Sequence, residues 1–125
     1  MKIRLAFFVI VFSFVVNGIQ AQVDVEDSLA TVDLYKSTNG KNWIHNNNWL
    51  TKKPLDSWYG VYVVKNKVCG LYLYGNNLMG TLPESMGNYD SLTDIQIWRD
   101  QISGTIPASI GKLKYLVTLI LAETC

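Results

Sequence analysis

Leu71-Tyr72-Leu73-Tyr74-Gly75-Asn76-Asn77-Leu78-Met79-Gly80-Thr81-Leu82-Pro83-Glu84-Ser85-Met86-Gly87 is echoed 24 residues further on, from Ile95 to Gly111. The shift pairs Leu78 with Ile102, Gly80 with Gly104, Thr81 with Thr105, Leu82 with Ile106, Pro83 with Pro107, Ser85 with Ser109 and Gly87 with Gly111. A second shift of 24 aligns Val68, Leu92 and Leu116, then Leu71, Ile95 and Leu119, then Leu73, Ile97 and Leu121. Such a period signals one small structural unit per repeat, which cannot bury its apolar side alone and stacks on its neighbours. Inside the unit, Leu71 and Leu73 alternate with Tyr72 and Tyr74, the pattern of a strand with one buried face. Pro83 and Pro107 bar a continuing ladder or helix, so each strand gives way to a tight turn on the opposite side.

The unit Leu71-x-Leu73-x-x-Asn76-x-Leu78-x-Gly80-x-Leu82-Pro83-x-x-Met86-Gly87 resembles the plant-type leucine-rich repeat, LxLxxNxLxGxIPxxLG, over residues 68–125. The resemblance implies a right-handed solenoid of the α/β type, with one short parallel strand per turn and an irregular or 3-10 convex side. It also implies that Asn76 lies inside the turn and bonds the backbone of neighbouring coils. The following coils depart from this, with Asp100 and Thr124 at the equivalent positions. An ionised aspartate accepts hydrogen bonds and cannot donate, so part of the ladder is expected to be lost or a buried group left unsatisfied, at about 1–3 kcal/mol.

Upstream, residues 24–36 read as a helix with Asp24 as N-cap, Glu26 and Asp27 in its first turn, and Val25, Leu29, Val32 and Tyr35 as its apolar stripe. Ser37-Thr38-Asn39-Gly40 stops it. A loop with Trp43, Trp49 and Pro54 leads to Trp58-Tyr59-Gly60-Val61-Tyr62-Val63-Val64, a turn at Lys65-Asn66-Lys67 and the first repeat strand, which together predict a hairpin. Asp27-Ser28-Leu29, Leu34-Tyr35, Thr38-Asn39-Gly40, Asn42-Trp43, Asn48-Trp49 and Trp58-Tyr59-Gly60-Val61 resemble the N-terminal cap of bacterial secreted plant-type leucine-rich repeat proteins. Trp43, Trp49 and Trp58 are expected to close the hydrophobic end of the first coil. The resulting division is a leader at 1–21, a cap at 22–67, and repeats at 68–91, 92–115 and 116–125, the last partial.

The leader reads as an export signal. Lys2 and Arg4 precede an apolar run from Leu5 to Val16, followed by Asn17-Gly18-Ile19-Gln20-Ala21, with cleavage expected after Ala21. The run is shorter than the roughly 20 residues a spanning helix needs, so no membrane span is expected once it is removed. Its loss leaves nine basic residues against ten acidic ones, and no basic footprint suggests nucleic acid. Cys69 and Cys125 lie two repeat turns apart and are not expected to pair, and no metal spacing or cofactor motif occurs. His45, the sole histidine, sits in the polar loop Trp43 to Trp49 and is expected to be exposed.

No nucleophile–base pairing or phosphate loop is present, so an enzyme is not expected. The family resemblance implies a secreted or cell-surface binding module that meets a protein, peptide or glycan on its concave face. The residues there are Gly70, Tyr72, Tyr74 and Gly75, then Asp94, Gln96, Trp98 and Arg99, then Thr118, Ile120, Ala122 and Glu123. Tyr72, Tyr74, Asp94, Gln96, Trp98 and Arg99 are the candidate site. Tyr74 and Trp98 hold equivalent positions on strands about 4.8 Å apart, so their rings should stack. The alternative is the N-terminal part of a larger receptor or adhesin, with a structural role. Residues 68–125 make about 2.4 periods, fewer than the three that stacked repeats generally need, so an uncovered last coil and self-association through it are expected.

Overall fold

The computed structural model describes residues 23–122. Residues 1–22, on which the expected export leader falls, and Glu123, Thr124 and Cys125 lie outside the described residues. Helix α1 (Val25–Ser37) starts where Asp24 accepts a hydrogen bond from the Glu26 N–H at 2.9 Å, with Glu26 and Asp27 in its first turn. It ends where the Thr38 N–H returns to the Leu34 carbonyl and Asn39 enters the left-handed region.

The buried face of α1 differs from the expected stripe. Val25 and Leu29 are 67% and 54% exposed, and Val32 and Tyr35 only half-buried against the core. Asp27, Ala30, Thr31 and Leu34 face inward instead. The reason is polar. The Asp27 carboxylate accepts from the Val68 N–H at 2.7 Å, and the Thr31 hydroxyl lies 2.8 Å from that of Tyr89, so the helix docks through anchors that a search for apolar residues passes over. Burial lifts Asp27 above the ordinary carboxylate range, against the pull of the Val68 N–H.

The hairpin forms as expected. Strand β1 (Val61–Val64) pairs antiparallel with β2 (Lys67–Tyr72), and Lys65 and Asn66 both take positive φ, the geometry of a tight hairpin turn. Strands β4 (Asp94–Gln96) and β6 (Thr118–Ile120) extend the sheet in the order β1-β2-β4-β6, all parallel after β2. The register runs Gly70–Asp94–Thr118, Leu71–Ile95–Leu119 and Tyr72–Gln96–Ile120, so the 24-residue period of the sequence is the spacing of the ladder. A smaller parallel pair, β3 (Met79–Gly80) and β5 (Gln101–Ile102), sets Met79 opposite Gln101, two residues out of step with that period.

Across from the sheet, 3-10 turns at Glu84–Asn88 and Ala108–Lys112 follow Pro83 and Pro107 and pack on one another. Gly87 permits this contact, since a Cβ there would stand 2.5 Å from both the Cβ and the carbonyl oxygen of Ser109. Between the layers lie Val68, Leu71, Leu73, Leu78, Leu82, Met86, Leu92, Ile95 and Ile97. At the helix end the core turns aromatic, as expected. Trp43 packs 4.8 Å from Trp49, and Trp49 packs 5.1 Å from Trp58 and 5.7 Å from Tyr35, ring centre to ring centre. Each buried indole N–H finds a carbonyl, on Thr38, Tyr59 and Lys53 respectively. At the other end Leu119 is 39% exposed, whereas Ile95 at the equivalent position is fully covered.

Lys67 holds the cap to the repeats by reaching Asp24 and Asp90, each at 2.8 Å. The lysine's pKa is raised by both carboxylates, and theirs are lowered by it.

Candidate functional site

The interior ladder sets the floor beneath the site. Asn76 bonds back to the cap, accepting from the His45 N–H at 2.6 Å and donating to the His45 carbonyl at 2.9 Å. Asp100 in the next coil accepts from the N–H groups of Asn76 and Leu78, both at 2.9 Å, while its second oxygen is buried with no partner. Burial raises the Asp100 pKa and these backbone donors oppose the rise. The expected defect of an aspartate in this ladder is therefore present as one orphaned oxygen. The His45 side chain is exposed, and its ring lies 5.0 Å from that of Tyr59.

The fixed backbone sends alternate side chains of β2 and β4 to solvent. All six candidate residues fall on that side or just past the strand ends. Tyr74 and Trp98 stack with ring centres 5.1 Å apart and planes 15° from parallel, as their equivalent positions required. The Arg99 guanidinium lies 4.9 Å from the Trp98 ring centre, a cation–π arrangement, and its backbone takes a positive φ of 59°. Tyr72 sits opposite Gln96, and Gly70 opposite Asp94. The Thr93 hydroxyl donates to one Asp94 oxygen at 2.7 Å.

Two features escaped the sequence reading. Tyr62 on β1 is 56% exposed and stands opposite Gly70, adding a fourth ring to the face. The Val61/Tyr62 alternation could have revealed it, since Val61 is buried. The second is that the Tyr72 ring lies back over Gly70, in the place of the missing side chain. Burial raises the Tyr72 phenol, and the neighbouring Asp94 and Tyr62 add to the rise. Among the described residues, no three of His, Cys, Asp and Glu gather as metal ligands, and no helix is long and apolar enough to cross a membrane. A separate small groove, lined by Leu82, Ile102, Ser103, Thr105, Ile106 and Leu121, lies on the side of the coil that carries Pro107.

No family model and no curated protein matches the chain. Solved structures do. The leucine-rich repeat ectodomain of the receptor kinase SOBIR1 from Arabidopsis thaliana is similar with a TM-score of 0.63 at 17% identity, over 82% of this chain and 55% of that one. The BIR2 ectodomain from Arabidopsis thaliana is similar with a TM-score of 0.66 at 24% identity, over 82% and 56%. A chain of the BIR3–SERK2 complex from Arabidopsis thaliana gives 0.57 at 28% identity, over 79% and 55%. The chain thus spans about half the length of the structures it resembles. With the 24-residue parallel ladder and the paired 3-10 turns, these likenesses show that the chain has a leucine-rich repeat fold of the kind found in plant receptor ectodomains.

Proposed function

We propose that the chain is an exported, non-enzymatic leucine-rich repeat module that binds a protein, peptide or glycan on the solvent face of its sheet, through Tyr72, Tyr74, Asp94, Gln96, Trp98 and Arg99. The observation that carries this reading is the stack of exposed Tyr74 on half-buried Trp98, with Arg99 against it. Tyr, Trp and Arg are the residue types that dominate binding hot spots. One of the similar structures is itself a complex of two proteins, BIR3 with SERK2, which is in keeping with the reading. Residues 1–21 act as its signal peptide, 22–67 as its cap, and residues from 68 onward wind as a right-handed solenoid of the bacterial secreted kind. Cofactors, nucleic acid and a membrane span after cleavage have no part in it. Self-association belongs to the proposal too, through the outer edge of β6, where Leu119 and Ile120 stand 39% and 38% exposed.

The test is binding of the secreted chain to whole cells and cell-wall fractions of its source organism. Trp98→Ala with Tyr74→Ala should abolish retention, and Glu84→Ala on the opposite side should leave it intact. Equal retention of all forms overturns the proposal. A second reading, the N-terminal part of a larger receptor or adhesin, is favoured by the chain spanning about half of the ectodomains it resembles. Sequence beyond codon 125 distinguishes the two.

A further inference from the structure

Gly70 lies between two polar groups in the ladder, with Tyr62 opposite on β1 and Asp94 opposite on β4. A Cβ on Gly70 would stand 2.6 Å from Cε2 of Tyr72 and 2.9 Å from its hydroxyl. The missing side chain therefore lets the Tyr72 ring lie down over Gly70 and brings its hydroxyl to the floor of the face, between Tyr62 and Asp94. Gln96 adjoins Tyr72 along the next strand, and the Tyr74–Trp98–Arg99 stack rises beside them. We propose that the ligand of this face is a glycan laid across the strands, an inference that rests on the binding reading above and narrows it to one chemical class.

The chemistry favours a glycan over a peptide on several grounds. The backbone groups between β1, β2, β4 and β6 are engaged with one another, so a peptide lying on the face finds no main chain to pair with. From Gly70 to Arg99 the side chains on the face are phenols, a carboxylate, an amide, an indole and a guanidinium, and the one large aliphatic side chain beside them is Ile120 opposite Gln96, so polar and aromatic groups dominate the face. Among the described residues of the face Asp94 and Arg99 cancel in charge and neither forms an ion pair, and one Asp94 oxygen accepts from Thr93 while the other makes no hydrogen bond with a described residue. Hydroxyl, carboxylate and amide groups accept and donate in the pairs that sugar hydroxyls require, and the aromatic rings offer surface to sugar C–H groups. Strands about 4.8 Å apart repeat at a spacing comparable to a pyranose ring, so successive sugars can meet successive turns. Gly70 is a positioning residue in this scheme, acting through Tyr72.

The test is affinity electrophoresis of the secreted full chain through gels holding mixed-linkage β-glucan, xylan, galactomannan, chitosan or polygalacturonate. Calorimetry with the matching hexasaccharide follows. Retardation in at least one gel is expected, with affinity falling tenfold or more in Tyr72→Phe, Gln96→Ala and Trp98→Ala and unchanged in Glu84→Ala. Tyr72→Phe removes only the hydroxyl and keeps the ring, so its loss of affinity is read at an unchanged unfolding midpoint. Migration unaffected in every gel, or retardation equal in all variants, overturns the glycan assignment. If the gels show nothing while the Tyr74/Trp98 variant still loses retention on cell-wall protein, the ligand is a protein or peptide: the glycan class fails and the binding reading stands.

Discussion

Asp100 holds the backbone of Asn76 from one coil further along, one carboxylate oxygen accepting the N–H groups of both Asn76 and Leu78 while the other is buried and unpaired. Removing the carboxylate strands two buried donors, whereas an amide keeps the acceptor and discards the charge. Asp100→Ala should cost about 2–3 kcal/mol, and Asp100→Asn should be neutral or stabilising, in urea unfolding at pH 7. Equal losses in both would show that the acceptor the amide keeps contributes nothing.

Stability should peak in mildly acidic solution. Asp27 and Asp100 have folded-state pKa values above the ordinary 3.8, so between that value and the raised one the native state holds more protons and stability falls as pH rises. Asp24 and Asp90 are shifted the other way, so their pairing with Lys67 is lost as pH falls below 3.8. Thermal midpoints from pH 3 to 8 should therefore rise and then fall on acidification from neutrality. The double variant Asp27→Asn with Asp100→Asn should lose the slope on the neutral side only.

Gly87 and Gly111 occupy the same place in the repeat and should answer differently to alanine. A Cβ at Gly87 meets Ser109 at 2.5 Å, and one at Gly111 meets nothing within 4 Å among its neighbours. Gly87→Ala should destabilise by about 1–3 kcal/mol, the usual range for overpacking, and Gly111→Ala by far less. Differential scanning calorimetry of the pair decides it.

Ile95 and Leu119 make a second such pair. Ile95 is fully buried and Leu119 is 39% exposed. Ile95→Ala should cost about 2–5 kcal/mol, and Leu119→Ala clearly less in monomeric protein. If Leu119→Ala is the costlier at high protein concentration and the gap closes on dilution, self-association covers that edge.

The repeating half was legible because one period governs backbone register and burial alike: Leu71, Ile95 and Leu119 are 24 apart in sequence and adjacent in space. The Tyr74–Trp98 stack followed from the same rule. Helix α1 had no such rule. Its inward face mixes Asp27 and Thr31 with Ala30 and Leu34, and the partners that make those polar groups fit, Val68 and Tyr89, lie far along the chain. The fold-back of Tyr72 was hidden because it depends on an absent side chain two residues away. The two-residue stagger of β3 against β5 leaves no mark in a pattern that keeps step elsewhere.

The contacts of α1 and Lys67 also let the cap tell the first coil from the second. A stack of similar turns can slip by one whole period, with each leucine landing where another leucine belongs. Here the first coil meets the cap with the Tyr89 hydroxyl and the Asp90 carboxylate, to Thr31 and Lys67. One period later the same positions are Leu113 and Lys114. A cap docked one turn too far would bury the Thr31 hydroxyl against a leucine and set Lys67 against another lysine, so the chain counts its turns from one end by chemistry that the second turn cannot imitate.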